Sequence, residues 1–207
     1  MPFRLDRALI RVSGPDAVSF LDKLLTQDVE QLAAAGVQYA CLLSPQGKVL
    51  TDMLLWADAD AVVVETAPAS APDLMRRLGM YKLRAQVRLE EITDAVCALW
   101  SLERFEGARP DPRLPALGWR AIAPHGDFPP AASYEAHRLS LGAPDLARDC
   151  APEEVFAGEA LLEELNGVDF QKGCFVGQEN TSRMKRRATT RRKFCPVRFA
   201  GSAPAYG

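Results

Sequence analysis

The run from Val37 to Trp56 constrains this chain more than any other feature. Two apolar segments, Val37–Leu43 and Lys48–Trp56, flank Ser44-Pro45-Gln46-Gly47. Proline at the second turn position presets its own φ near about −65°, and glycine at the fourth completes a type I turn. The segment is therefore an antiparallel hairpin, and its neighbours must supply what a hairpin lacks, namely further strands and a covering layer. Asp6–Val12, Ala61–Thr66 and Ala85–Ile92 read as strands. In the last of these, Val87 and Leu89 share one face while Arg88 and Glu90 share the other. Between them lie two helices. One is capped at Ser13 or Gly14, carries Pro15 in its first turn and runs to about Leu25 with an apolar stripe of Val18, Phe20, Leu21, Leu24 and Leu25. The other spans Pro68–Leu78 and ends before Gly79. The pattern is α+β.

The second half is less regular. Residues 103–117, rich in Pro and Arg, read as a loop separating a first subdomain (1–102) from a second (103–195). Gly118–Ala123 is expected to be a strand and Pro130–Leu141 a helix. Glu153–Leu165 is expected to be another helix, burying Phe156, Ala160, Leu161 and Leu165 and stopping at Asn166-Gly167. Pro196–Phe199 is strand-like.

Composition removes several classes. No apolar run is long enough to span a bilayer, which predicts no membrane partner. Met1–Asp6 lacks the apolar stretch of a secretion signal, which points to the cytoplasm. The five cysteines (Cys41, Cys97, Cys150, Cys174, Cys195) form no Cys-x-x-Cys pair. His125 and His137 have no ligand at metal spacing, so no stably bound metal is predicted. The charge is uneven: residues 172–207 hold nine Lys or Arg and one acid, a net +8, leaving 1–171 near −10. A basic tail on an acidic body predicts an anionic partner or an internal electrostatic dock.

One constellation carries chemistry. In Lys172-Gly173-Cys174-Phe175-Val176-Gly177-Gln178-Glu179, two glycines bracket a thiol, and a breaker-free helix follows from Gly177. Glu179 suits the first turn and stands four residues from Arg183, the spacing of an ion pair. A thiol ahead of a helix N-terminus and two residues from Lys172 is placed for thiolate formation. The same residues are compatible with a small side chain in a tight turn. The cations of Arg183–Lys193 suit phosphate, a polyglutamate tail or RNA, including tRNA, and no aromatic side chain interleaves them. Asp52, in the returning hairpin strand, is a candidate acid facing a pocket, a weak signal by itself.

The motif Lys172–Glu179, with Arg183 beyond it, resembles the signature of the YgfZ group of folate-binding proteins. These are relatives of the aminomethyltransferase (T-protein) of the glycine cleavage system. Gly14-Pro15-Asp16-Ala17, Leu42–Leu50 and Tyr81-Lys82-Leu83-Arg84 resemble the group's earlier blocks, in order. The resemblance implies a T-protein-like fold with subdomains around a central cavity that takes tetrahydrofolate. Its C-terminal β-barrel would be absent or truncated, residues 196–207 being the start of one. It implies support of iron–sulfur cluster assembly in client proteins, tRNA-modifying enzymes among them. Cys174 is then the reactive thiol, with Lys172, Gly173, Gly177, Gln178, Glu179, Arg183, Tyr81 and Arg84 on the folate side and Asp52 a catalytic candidate. Aminomethyltransferases carry an Asp-Asp pair where this chain has Thr51-Asp52. That departure argues for an assembly factor over the alternative, a folate-dependent one-carbon transferase. A third reading is a tRNA-binding module acting through the tail.

Overall fold

The computed structural model describes residues 1–188 and 190–201. In chain order the elements are β1 (Phe3–Arg4), β2 (Ala8–Ser13), α1 (Ala17–Leu24), a 3-10 turn (Val29–Gln31), α2 (Leu32–Ala35), β3 (Val37–Leu43) and β4 (Val49–Asp58). Next come β5 (Ala61–Thr66), α3 (Ala71–Lys82), β6 (Arg88–Glu91), β7 (Val96–Ser101), β8 (Arg109–Pro110), β9 (Trp119–Pro124), α4 (Tyr134–Ser140), α5 (Leu146–Asp149) and α6 (Gln178–Arg187). The fold is α+β, as the strand and helix patterns predict, with two sheets and no closed barrel among the described residues.

The hairpin forms one side of a five-stranded antiparallel sheet in the order β3-β4-β5-β2-β6. Both faces are covered, which is why all seven residues of β3 are buried. On one face Ile10, Val12, Leu42, Leu55 and Val64 meet Phe20, Leu21 and Leu24 of α1 and Leu74 and Leu78 of α3. On the other, Leu9, Tyr39, Leu43, Leu54, Trp56 and Val63 meet Leu146, Val155, Ala160, Leu162, Leu165 and Phe175. The two-residue period of each strand thus feeds two separate cores, each large side chain contributing roughly 1.5–3 kcal/mol of burial. The second sheet, β1-β7-β9-β8, carries a smaller core around Leu5, Ala98, Trp100 and Tyr134.

Several local expectations give way to tertiary contacts. Helix α1 starts at Ala17, with Asp16 at the N-cap. The Asp16 carboxylate accepts the Gln86 N–H at 2.7 Å, pinning the chain ahead of β6. Helix α3 passes through Gly79, where a Cβ would meet nothing within 4 Å; an interior glycine weakens a helix by about 1 kcal/mol without ending it. The predicted helix over 153–165 does not form. Glu153, Leu161 and Asn166 have φ of 63°, 60° and 55°, which no helix tolerates. The segment instead exchanges backbone bonds with β4, Glu153 N–H to Val49 O at 2.8 Å and Val49 N–H to Val155 O at 2.9 Å. Pro196–Phe199 is not in a strand, and residues 202–207, the rest of the expected barrel start, lie outside the described residues. No helix among the described residues is long and apolar enough to cross a membrane.

Candidate functional site

The two motifs read separately in the sequence, the hairpin turn and the Lys172–Glu179 run, dock on each other. Gly47 has φ 81°, and Gly177, the residue ahead of α6, has φ 82°. A Cβ on Gly177 would lie 2.6 Å from Ser44 O and 3.0 Å from Gly47 Cα, and one on Gly47 would lie 3.2 Å from Gly177 O. Backbone therefore packs on backbone, a contact only glycine permits. Asn180 Nδ2 donates to Gln46 O at 2.9 Å, and buried Thr181 donates from its hydroxyl to Gly177 O. Upstream, Phe175 enters the core on one face of the sheet, while Val176 packs against the core on the other. The motif straddles the hairpin end.

Lys172 fixes the other flank. Its side chain is 2% exposed, and Nζ donates into an oxygen cage at the end of α1: Asp22 Oδ1 (2.8 Å), Asp22 O (2.5 Å), Gln27 O (2.7 Å) and Leu25 O (3.1 Å). An ammonium has three donors, and this cage takes all of them. The charge expected to favour a thiolate or meet a folate is spent on holding α1. The Asp169 carboxylate caps the same turn, accepting the Gln171 and Lys172 N–H groups at 2.7 and 3.3 Å. Between these anchors Cys174 is exposed, as is Gly173, whose carbonyl accepts from Gln178 Nε2 at 3.3 Å. Helix α6 begins four residues after Cys174. Glu179 and Arg183 form the i,i+4 pair at 2.8 Å.

Asp52 lies elsewhere, in a buried polar cluster that the sequence reading missed. Tyr39 OH donates to Asp52 Oδ2 at 3.2 Å. Around this pair, Arg113 forks onto Asp111 at 2.7 and 3.0 Å and donates to Tyr134 OH at 2.7 Å. Arg120 bridges Glu65, Asp111 and Tyr134, and Arg7 reaches Asp145 at 3.2 Å. Three guanidiniums thus face four carboxylates. Burial pushes the Asp52 carboxyl above the usual range, Asp145 adds to that, and Arg7 and Arg113 oppose it. The Asp111 carboxyl falls below its usual range: burial acts to raise it, and the Arg113 and Arg120 guanidiniums outweigh burial. The signal in the sequence was a charge inside an apolar strand, Glu65 after Val62-Val63-Val64 and Arg120 beside Trp119. The Pro-rich break at 103–117 is likewise more than a surface loop, since it delivers buried Asp111 and Arg113.

The remaining residues fall into two groups. Tyr81 and Arg84 line a groove with Phe20, Lys23 and Leu24, on the α1–α3 side of the sheet. In the basic tail, Lys185, Arg192 and Lys193 pair with Glu163, Glu159 and Glu164. Much of the tail's charge is an internal dock.

The fold and the glycine-packed motif define an aminomethyltransferase-related protein. The family described as GCVT N-terminal domain matches residues 7–100. The aminomethyltransferase T of the Bartonella henselae glycine cleavage system shares the fold, with a TM-score of 0.68 over 90% of this chain and 63% of its own, at 16% identity. The human iron–sulfur cluster assembly factor IBA57, mitochondrial, is 33% identical over 99% of this chain and 68% of its own length. The Neurospora crassa homolog is 30% identical over 96% of this chain and 54% of its own. The chain belongs to the IBA57 family of aminomethyltransferase-related proteins. The expectation of a cytoplasmic location is overturned, because these relatives, and the mouse protein at 31% identity, are mitochondrial by name. The missing apolar stretch speaks only to secretion and says nothing about routes that use other signals.

Proposed function

We propose that this chain is an iron–sulfur cluster assembly factor in which Cys174 offers a thiolate to a cluster shared with a partner protein. The observation that carries the reading is geometric: Cys174 is exposed on a loop fixed on one side by the Lys172 cage and on the other by the Gly177–Gly47 contact. A thiol held out by rigid backbone can enter a partner's coordination sphere without an ordering cost. A [2Fe–2S] cluster takes four terminal ligands, usually thiolates, and no three His, Cys, Asp or Glu side chains gather at metal spacing among the described residues. The cluster is therefore cargo, and the other ligands come from the partner. On binding, the Cys174 thiol loses its proton to solvent and its sulfur replaces an outgoing ligand on iron. The family membership supports the same role. Complementation of cells lacking their own family protein tests it: Cys174→Ala is expected to lose rescue at an unchanged protein level, and full rescue would remove the thiol from the mechanism.

The reading extends to the finer role of YgfZ proteins, upkeep of clusters in tRNA-modifying enzymes. Tetrahydrofolate does not fit beside Asp52, where the open space is about 10 Å³ and ion-paired side chains fill the rest; such a volume holds about one water. A larger groove of 620 Å³ runs between Arg4, Arg7, Asp94, His125, Glu135 and Arg148, a volume that suits a small ligand, and calorimetry with tetrahydrofolate is aimed there. An absence of heat, with no change on Arg148→Ala, ends the folate reading. The tRNA alternative rests on exposed Arg186, Arg187 and Arg191. A shallow salt slope of tRNA binding removes it.

A further inference from the structure

The groove beside α1 has the character of a docking surface. Its walls are α1 (Ser19, Phe20, Lys23, Leu24) and the segment that ends α3 (Tyr81, Leu83, Arg84), and it encloses 390 Å³. Three observations set it apart from ordinary surface. Leu83 is 89% exposed, and Met80 (55%) and Tyr81 (39%) stand beside it. Leu83 also has φ 39° and ψ −103°, a strained backbone for a leucine. Such strain persists only where the surroundings impose it, and here they do. The Asp16 carboxylate holds the Gln86 N–H at 2.7 Å, Ala85 N–H bonds Lys82 O at 2.7 Å, and Gly14 packs its Cα where a Cβ would meet Gln86 O at 2.2 Å. The loop is pinned, and the pinning displays an apolar side chain to water.

The third observation is charge. Lys23, Lys82 and Arg84 line this groove, and none of them forms an ion pair among the described residues. The one acid present, Asp16, is already engaged. A cluster of uncompensated cations around apolar residues calls for an apolar segment flanked by carboxylates. Helix α1 links the groove to the Cys174 loop. Asp22, which holds the Lys172 ammonium, precedes Lys23 in the same helix.

We propose that this groove docks the partner protein that meets Cys174, and that the partner presents an amphipathic segment with acidic residues beside its apolar face. The inference rests on the proposed role of Cys174 and adds where the partner is held. The probe is a labelled amphipathic helical peptide with leucines on one face and glutamates on the other, compared with its lysine counterpart and a scrambled glutamate peptide. Fluorescence anisotropy on the full chain is expected to show the acidic peptide binding at least tenfold more tightly than either control. Leu83→Asp is expected to lose at least tenfold in affinity, as is Leu83→Gly, which removes the side chain while relieving the backbone. Cys174→Ser is expected to bind the peptide as the wild type does. Equal binding of all three peptides, or undiminished binding by both Leu83 variants, overturns the groove. In complementation the two claims separate: full rescue by Leu83→Asp sinks the docking surface, whereas full rescue by Cys174→Ser sinks the role of the thiol.

Discussion

Replacing Lys172 by Met separates the clamp seen in the structure from the activating charge the motif suggests. The methionine keeps most of the stem and removes the ammonium, leaving the Asp22 carboxylate and the Leu25 and Gln27 carbonyls facing an apolar end. Removing one partner of a buried pair costs about 3–5 kcal/mol. Asp22 keeps 19% of its side chain in water and also accepts the Val29 N–H at 3.0 Å, so the low end, about 3 kcal/mol, applies. For a chain of this size each kcal/mol lowers Tm by about 2–4 °C, giving a fall of roughly 6–12 °C. Urea unfolding and thermal melts of wild type, Lys172→Met, Asp22→Leu and the double variant form the assay. The double variant is expected to lose less than the sum of the singles by at least ~1 kcal/mol, the signature of direct coupling. A Lys172→Met protein as stable as wild type would refute the clamp.

Three other outcomes follow from the geometry. Gly177→Ala must hold alanine at positive φ, which costs about 1–2 kcal/mol, and must also push Ser44 away; unfolding should show a loss of at least ~2 kcal/mol, and a neutral result contradicts the backbone contact. Asp52→Asn should stabilise the fold at neutral pH. A carboxyl raised by burial favours the protonated form in the folded state, so its contribution is present at low pH and lost as pH rises from the unfolded value to the folded one. The gain should vanish in acid, and a loss of stability at pH 7 would show that the cluster needs the charge. Cys150, pushed up to about 11 by burial and by Glu154, Asp52 and Asp149, holds roughly 0.1% thiolate at pH 8. Iodoacetamide on the native protein should therefore label exposed Cys174 well before Cys150, as peptide mass mapping would show.

The hairpin, the β5 strand and the Glu179–Arg183 pair were legible because each is specified locally, by a proline–glycine turn, an apolar alternation or a four-residue spacing. What escaped was set by contacts distant in sequence. The helix expected over 153–165 has the right composition, yet Val49 takes its backbone bonds and forces turns. Lys172 looked like a free charge because nothing in the motif reveals that residues 22–27 supply its four oxygens. The buried cluster brings Arg7, Glu65 and Asp145, each distant in the chain, onto Asp111, Arg113 and Arg120. Within the candidate site the thiol and the glycines were readable. Their restraint by the hairpin turn was not.

The central claim is that Cys174 ligates a cluster, and a glutathione-ligated [2Fe–2S] complex tests it most directly. Anaerobic titration of the full chain into that complex should produce a visible circular dichroism signal as one protein thiolate replaces glutathione on iron. The signal should survive Cys195→Ser, which removes the other exposed thiol, and disappear in Cys174→Ser. The same signal from Cys174→Ser, or none from the wild type, would contradict the account.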